Sequence, residues 1–374
     1  MAGFSRLENP PPQPAHSSIL KPARFFTRGI LALLWTGASV SAGITLDLVT
    51  IGNPGNPNDT VTAIDGSGLL FGGVSYTYAI GAYEVTLVQY TAFLNSVAQS
   101  DTYNLYNAAM GTDANSKGIT RAGTSGSFSY AISGDGNRPV TYVSWFDAAR
   151  FTNWLHNGQP VGAQAGGTTE TGAYALNGAT TGSGFIRSGA AAFWIPSESE
   201  WYKAAYHQPA DMGGNASDYW LYPTRANAIP NSRNGSASDP NSANFYRDDG
   251  IANGFNGGYA VTDSTASSNT QNYLVNTGAF TMSSGYYGTF DQGGNVYEWN
   301  DAVIGASRGL RGGSWISGEF ALRSTARDSY LPTNESSYVG FRIAAAVPEP
   351  AAAVSLLLGG GLLLSRRRRA SAAA

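Results

Sequence analysis

The sequence predicts an α+β domain with few short helices, short strands and much irregular structure. Three segments combine a helix-capping pattern with apolar residues at helical spacing, and they begin at Thr86, Ser144 and Ser197. Elsewhere, short strand patterns alternate with stretches rich in Gly, Ser and Asn, such as residues 162–184 and 227–242. Loop packing, rather than long regular elements, is therefore expected to fix the fold.

Each predicted helix pairs a capping hydroxyl with an acidic or amide side chain three residues later, which is typical of a capping box. The pairs are Thr86 with Gln89, Ser144 with Asp147, and Ser197 with Glu200. The residues expected to face the core are Leu87, Tyr90, Leu94 and Val97 in the first helix, Ala148, Phe151 and Leu155 in the second, and Trp201, Ala204 and Ala205 in the third.

Strand patterns occur at both ends of the domain. Residues 43–70 are typical of an N-terminal strand segment in which residues 52–58 form a turn. Near the other end, Val339, Phe341 and Ile343 occupy alternate positions. Alternation of this kind predicts a half-buried strand.

Composition excludes several classes of function. The 374-residue chain has a formal net charge of −3, so it has no basic field to attract nucleic acid. It contains no cysteine, which excludes disulfides, thiolate nucleophiles and cysteine-ligated zinc. Stability must therefore come from the core or from bound metal ions.

The N-terminal region has the features of a secretion signal. Three basic residues between Lys21 and Arg28 precede the apolar residues 29–35, and the small residues 40–42 follow. This order is typical of a signal peptide with its cleavage site. A membrane anchor or a buried helix is the alternative, but the apolar run is short for a span. We therefore expect residues 1–42 to be an N-terminal extension and signal peptide.

The C-terminal end has three parts in order. A Pro-Glu-Pro motif at residues 348–350 is followed by an apolar stretch at 351–364 and by four arginines at 366–369. A short transmembrane segment before a positive cluster keeps that cluster cytoplasmic. The arrangement resembles the PEP-CTERM sorting signal of exopolysaccharide-producing bacteria, which implies processing by an exosortase-type enzyme at the inner membrane. An ordinary single-span anchor is the alternative. The sorting signal and the single-span anchor would each place the preceding domain outside the inner membrane.

Six motifs in the middle of the chain resemble those of the formylglycine-generating-enzyme, or sulfatase-modifying-factor, domain. The motifs are YEVTLVQY at 83–90, RPVTYVSW at 138–145, IPSESEW at 195–201, GNVYEW at 294–299, RGGSW at 311–315 and GFR at 340–342. A single motif would be weakly specific, but six in the family's order are strongly so. The resemblance implies a C-type-lectin-like fold.

The motifs and the two end signals divide the chain into four parts. Residues 1–42 are the extension and signal peptide, residues 43–70 the strand segment, and residues 71–346 the formylglycine-generating-enzyme-like domain. Residues 347–374 form the sorting tail.

The same resemblance implies a chemistry for which this chain lacks the residues. Active members bind copper(I) with two cysteines just after the GGSW motif, and Ser317 stands about where the first thiol would be. A hydroxyl is a far poorer ligand for copper(I) than a thiolate, so copper is not expected. A related iron enzyme on this fold needs three histidines, whereas only His156 and His207 lie in the domain. No catalytic residue is therefore assigned.

The resemblance also implies structural calcium. In the family, the loop that carries the GNVYEW motif wraps the ion with backbone carbonyls and side-chain oxygens, the hard ligands that calcium prefers. Carried over to this chain, the ligands are Asp291, Gly294, Val296 and Glu298. The alternative is that Glu298 only caps a turn. A second family site would use Asn244 and the carbonyl of Phe245, with further ligands near Asp263.

Together these features predict an exported cell-surface or extracellular-matrix protein. Its domain is expected to be a non-catalytic, calcium-stabilised binding or structural module. The chain has 21 Tyr and 8 Trp, side chains that can stack on sugars, so an exopolysaccharide or surface glycan is the expected partner. The alternative is an enzyme on the same scaffold, an oxidoreductase-like relative with a non-thiol chemistry.

We predict that the mature chain begins near Gly43 and loses its tail near Pro350, because processing enzymes remove both kinds of end signal. The intact mass of protein recovered from its native envelope or medium would test this. Replacing the four arginines by alanine should leave the tail unprocessed and serves as the control. Recovery of a wild-type species that retains residues 366–369 would contradict the sorting prediction.

Overall fold

The described part of the protein, taken from a computed structural model, comprises residues 43–235 and 239–347. The predicted signal peptide and the sorting tail after Val347 lie outside these residues. All described residues belong to one compact unit of the chain. Within them, no helix is both long and apolar enough to span a bilayer.

Short elements separated by long irregular segments make up the domain, as the α+β prediction requires. The helices of the described part are α1 (Leu87–Val97), α2 (Ala109–Thr112), α3 (Trp145–His156) and α4 (Glu198–Tyr206). The strands are β1 (Leu48–Ile51), β2 (Tyr78–Gly81), β3 (Ile119–Ala122), β4 (Ser129–Ile132), β5 (Phe193–Trp194), β6 (Asn231–Ser232), β7 (Ser242–Ala243), β8 (Tyr246–Asp248), β9 (Gly257–Tyr259), β10 (Tyr297–Ile304), β11 (Ser307–Arg311), β12 (Asp328–Tyr330), β13 (Val339–Gly340) and β14 (Ala344–Ala345). Single 3-10 turns occur at Ala210–Met212 and Glu319–Leu322.

The three capping boxes predicted from the sequence are confirmed. At the start of α1, the Thr86 hydroxyl accepts a hydrogen bond from the Gln89 backbone N–H, and the Gln89 side chain accepts one from the Thr86 N–H. The same reciprocal pair starts α3 and α4. Every side chain predicted to face inward from these helices is buried. Helix starts were predictable because the N–H groups of a first turn are satisfied by residues close in sequence.

Two four-stranded sheets form the framework. The first has the order β1-β2-β14-β5 and is antiparallel throughout. The second has the order β12-β11-β10-β13, in which only the β10–β13 pair is parallel. Strand β13 in the second sheet and β14 in the first are separated by three residues, so the chain passes directly from one sheet to the other.

The continuous half-buried strand predicted over residues 339–343 is wrong. Strand β13 ends at Gly340, and β14 begins only at Ala344. The residues between the two strands are buried on both sides, since Phe341 and Ile343 lie in the apolar core and Arg342 is also fully buried. The alternating apolar residues therefore belong to the segment in which the chain crosses between the sheets, and not to one amphipathic strand.

Aromatic rings join α1 to α3 at the centre of the largest apolar cluster. The rings of Tyr90 and Phe93 on α1 lie 5.3–6.1 Å from those of Phe151 and Trp154 on α3. The ring of Phe341 closes the group at 5.4 Å from Phe151. These aromatic side chains bury large apolar areas in edge-to-face and stacked pairs, which adds to the stability from burial alone.

The irregular segment 162–184 is fixed to α3 by polar side chains. Arg150 donates to both carboxylate oxygens of Glu170, at 2.7 and 3.1 Å. The amide of Asn153 bonds backbone groups of Thr169 and Tyr174. These contacts give the loop the backbone partners that a strand would otherwise supply.

We predict that Glu170→Ala lowers the free energy of unfolding by about 3–5 kcal/mol, because it leaves the buried Arg150 guanidinium without a counter-ion. Urea denaturation of the purified variant and wild type measures the change. Asp65→Ala is the matched control, since Asp65 is 30% exposed and its partner Arg327 keeps a second carboxylate, Glu198. It should cost less than about 1 kcal/mol. Equal losses in the two variants would contradict the proposed role of Glu170.

Candidate functional site

The loop predicted to hold calcium, residues 291–298, folds back tightly before β10. Asp291, Gly294 and Asn295 have left-handed φ angles of 58°, 87° and 60°. The backbone N–H of Gly294 donates to the carbonyl of Gly312 at 2.9 Å. A Cβ atom on Gly294 would lie 2.3 Å from the carbonyl oxygen of Asn244, so only glycine fits there.

This close approach brings the two predicted calcium sites side by side. The carbonyl of Asn244 accepts a hydrogen bond from the Asn295 N–H at 2.7 Å, and the Asn244 side-chain amide donates to the Asn295 side chain at 3.0 Å. The carbonyl of Phe245 accepts a hydrogen bond from the Ser232 hydroxyl. Asp263 instead accepts one from a backbone N–H of β9.

Glu298, another predicted calcium ligand, already has hydrogen-bond partners within the protein. Its carboxylate is fully buried and accepts hydrogen bonds from Arg342 on both oxygens, at 2.5 and 2.6 Å. The indole N–H of Trp201 donates to the same group at 2.7 Å. These three donors leave the carboxylate one of its roughly four acceptor sites, and the guanidinium compensates its charge. Glu298 is a core ion-pair partner of Arg342, and its role as a calcium ligand stays a prediction.

Asp291 retains a setting that suits a small cation. Burial raises the pKa of Asp291 to about 6, and its carboxylate accepts a backbone hydrogen bond from Gly278. Beside it is a cavity of about 10 Å³, lined also by Gln292 and Ser242, in which the Gln292 Oε1 atom is buried without a hydrogen-bond partner. Val296, another predicted ligand, packs its side chain in an apolar cluster.

A cation beside Asp291 would have one carboxylate together with amide and hydroxyl side chains around it, oxygen donors of the kind that calcium prefers. Across residues 43–235 and 239–347, no three acidic or histidine side chains lie close enough together to hold a metal ion. Of the two predicted side-chain ligands, Asp291 lines a cavity, whereas Glu298 is paired with Arg342.

Two serines occupy the stretch where the family has its thiols. The hydroxyls of Ser314 and Ser317 lie 3.0 Å apart, and the Ser317 hydroxyl accepts the Ser314 backbone N–H. Both histidines of the domain are engaged elsewhere: His156 accepts the Ala192 N–H, and His207 bonds the Tyr287 hydroxyl. Neither histidine forms a hydrogen bond with this serine pair.

A row of aromatic side chains extends from this serine turn. It consists of Tyr246, Tyr259, Tyr273 and Trp315, which we call the aromatic row. Successive ring centroids lie 4.9, 4.7 and 4.9 Å apart, and the rings of Tyr273 and Trp315 are nearly parallel. Trp315 and Tyr273 are buried, whereas Tyr259 and Tyr246 are half-buried and can be reached from solvent.

The sequence did not single out these tyrosines. They belong to segments that are far apart along the chain, and the only signal for them is the high tyrosine content. The row meets the serine turn directly, since the Tyr246 N–H donates to the Ser317 carbonyl at 2.9 Å.

Comparison with known proteins identifies the family of the domain. A family model described as the sulfatase-modifying factor enzyme 1-like domain matches residues 74–347, which is more than half of the chain. The match confirms the fold that the six motifs predicted. No curated protein matches the sequence.

Several solved structures are similar. CarF is 20% identical with a TM-score of 0.42, and the alignment covers 81% of this chain and 99% of that one. Treponema denticola variable protein 1 is 19% identical with a TM-score of 0.40, covering 80% and 95% of the two chains. PvdO from Pseudomonas aeruginosa is 17% identical with a TM-score of 0.37, covering 81% and 92%.

Proposed function

The chain belongs to the sulfatase-modifying factor enzyme 1-like domain family. We propose its function from two features of the site: the missing cysteines and the neighbouring aromatic row. The proposed function is that of an exported, non-catalytic module that binds glycans and is stabilised by calcium. The observation that carries it is the aromatic row, which stands beside the serine turn where active relatives hold their thiols.

The loss of the thiols supports a non-catalytic role. Formylglycine formation in the family needs two cysteines, and this chain has none. Ser314 and Ser317 bond each other instead, and hydroxyls cannot replace thiolates as copper(I) ligands. The site thus retains the family's scaffold without the family's reacting groups.

Export is proposed from the two end signals, which lie outside the described residues. A signal peptide would carry residues 43–347 across the inner membrane, and the tail would hold the chain there until an exosortase-type enzyme removed it. The product would reach the cell surface or extracellular matrix. The absence of cysteine is compatible with this route, since no disulfide has to form outside the cell.

A glycan is the proposed partner because of how the aromatic row is exposed. The half-buried rings of Tyr246 and Tyr259 present apolar faces and hydroxyl groups to the same ligand, a combination that suits a sugar ring. The buried members, Tyr273 and Trp315, pack behind them and keep them in place. Little ordering entropy would be lost on binding, since the rings are already fixed by their neighbours.

We predict that Tyr259→Ala weakens binding to a neutral glycan by about 1–2 kcal/mol, because it removes a ring at the centre of the row. An array of neutral and acidic oligosaccharides, followed by titration calorimetry with the best binder, measures this. Tyr286→Ala is the matched control, since Tyr286 is half-buried and its ring pairs only with Tyr287 outside the row. If the array gives no binder, or if both variants bind as wild type does, the glycan proposal is wrong.

Calcium stabilisation is proposed through Asp291. The small cavity beside its carboxylate has hydroxyl and amide oxygens around it, and the buried Gln292 Oε1 atom lacks a partner that a bound cation would provide. The ion would supply a positive charge that holds the loop 291–296 closed. Asp291 and Gln292 would bind it, while the Glu298–Arg342 pair would act independently.

We predict that millimolar calcium raises the melting temperature of the protein and that chelator reverses the rise. A ligand at a hundredfold excess over its Kd stabilises the folded state by about 2.7 kcal/mol. Asp291→Ala should abolish the calcium-dependent part, and Asp291→Asn should reduce it less, because an amide oxygen can still coordinate. Melting curves with calcium and with chelator measure these differences.

Glu298→Gln is the control for that experiment. It weakens the pair with Arg342, so it should lower the melting temperature by the same amount with calcium and with chelator. A calcium shift that is lost in Glu298→Gln but kept in Asp291→Ala would reverse the assignment. If chelator does not change the melting temperature of the wild type, the proposal that calcium stabilises the protein is wrong.

A further inference from the structure

A shallow groove of about 380 Å³ is lined by three stretches of irregular chain after α4, and we call it the Arg225 groove. Its lining comes from residues 208 and 213, from 220 and 224–226, and from 240–241. The described residues that line it include one arginine and no acid. It shares no residue with the aromatic row, and only the buried Thr224 with the cavity beside Asp291.

The indole of Trp220 is held in one orientation at the wall of this groove. Its N–H donates to the Gln208 Oε1 atom at 3.1 Å, and the Gln208 amide donates in turn to the Met212 carbonyl at 2.9 Å. Trp220 is half-buried, whereas the six other tryptophans of the described residues are all buried. A fixed indole that solvent can reach offers an apolar face of the kind that packs against a sugar ring.

The guanidinium of Arg225 lines the same groove and is exposed. Its Nε atom donates to the Ser284 carbonyl at 3.0 Å, which anchors the side chain. Its two Nη atoms have no acceptor and no carboxylate within 4.0 Å in the part of the chain that the structure describes. Four N–H donors and a positive charge are therefore available to a ligand.

The backbone of Arg225 is left-handed, with a φ angle of 58°. Most other non-glycine residues with such angles in this structure are Asn or Asp, whose short side chains tolerate them. The turn is closed by the Tyr222 N–H, which donates to the Ala226 carbonyl at 3.0 Å. A long side chain held in this strained conformation is typical of a position that contacts a ligand.

The acidic residues nearby do not neutralise Arg225. Asp239 pairs with Arg233 at 3.4 Å, and Asp218 accepts a backbone hydrogen bond at its Oδ1 atom. Asp211 is exposed to solvent, where water and salt screen its charge. The groove thus presents one uncompensated positive charge together with one aromatic ring.

We propose that the Arg225 groove binds a sugar that carries a carboxylate, a hexuronate, with the carboxylate on Arg225 and the sugar ring against Trp220. A carboxylate matches the planar guanidinium and accepts two charge-assisted hydrogen bonds from it. A neutral sugar would not use the charge, and a small anion would not use the indole. The site is separate from the aromatic row, so it does not depend on the glycan site proposed there.

Three probes test the proposal on the purified full chain. Methyl glucuronide and methyl glucoside have the same ring but carry a carboxylate or a hydroxymethyl group at C6, and acetate has the carboxylate without the ring. Titration calorimetry should show the glucuronide binding about tenfold or more tightly than either other probe. Chelator is present throughout, so that no calcium ion bridges the uronate to the protein. The glucuronide affinity should fall as salt is added.

Variants then locate the site. Arg225→Gln should weaken glucuronide binding about tenfold or more, and Arg225→Lys should weaken it less, because it keeps the charge without the planar donors. Trp220→Leu should weaken the binding of both sugars and leave that of acetate unchanged. Arg247→Gln is the matched control, since Arg247 also donates to one backbone carbonyl, has no carboxylate partner among the described residues and lies outside the groove. Thermal melts check that each variant is folded.

The remaining outcomes overturn the proposal. No binding of the glucuronide, or equal binding of the glucoside, rejects recognition of the carboxylate. Acetate binding as tightly as the glucuronide would indicate an anion site that does not recognise a sugar. Tyr259→Ala should leave glucuronide binding unchanged, whatever it does to a neutral glycan. Loss of glucuronide binding in Tyr259→Ala but not in Arg225→Gln would place the acidic sugar on the aromatic row. If Arg225→Gln is unfolded, Arg225→Lys and Trp220→Leu decide.

Discussion

The buried guanidinium of Arg342 joins the two sheets on which the rest of the domain is built. It donates to Glu298 in β10, which belongs to one sheet, and to the carbonyl of Gly81 in β2, which belongs to the other. A further bond reaches the carbonyl of Phe290, just before the loop of residues 291–298. Arg342 lies where the chain crosses between sheets, so the position of that loop depends on this one side chain.

Other buried ion pairs have a similar role in a chain that has no disulfide. Glu198, at the start of α4, is shared by Arg311 in β11 and Arg327 in the loop before β12. The pair with Arg311 joins α4 to β11, and the pair with Arg327 ties an irregular segment to α4. Four of the arginines in the described residues, at positions 150, 308, 311 and 342, are fully buried, so their charges act inside the fold. Breaking a buried pair leaves a charge without its counter-ion, which is costly and favours the observed arrangement of the loops.

What the sequence could predict was decided by how far apart the interacting residues are. The capping pairs that start α1, α3 and α4 lie three residues apart, so local patterns were enough to find them. The partner of Glu298 lies 44 residues away, and no local pattern distinguishes an ion-pair carboxylate from a metal ligand. The aromatic row and the Arg225 groove are assembled from segments that meet only in the folded chain. The apolar alternation at residues 339–343 predicted a strand with one face in solvent. Arg342 is buried instead, because its partners come from distant parts of the chain.

The attachment of residues 162–184 to α3 has a consequence for how the molecule opens locally. This segment has no strand or helix of its own, and such segments normally open first. Here, however, Arg150, Asn153 and Asn157 bind its backbone and side chains along one face of the helix. The segment cannot leave without exposing buried polar groups on α3, so helix and segment form one cooperative unit. We therefore expect its amide hydrogens to exchange about as slowly as those of α3, despite the segment's irregular shape.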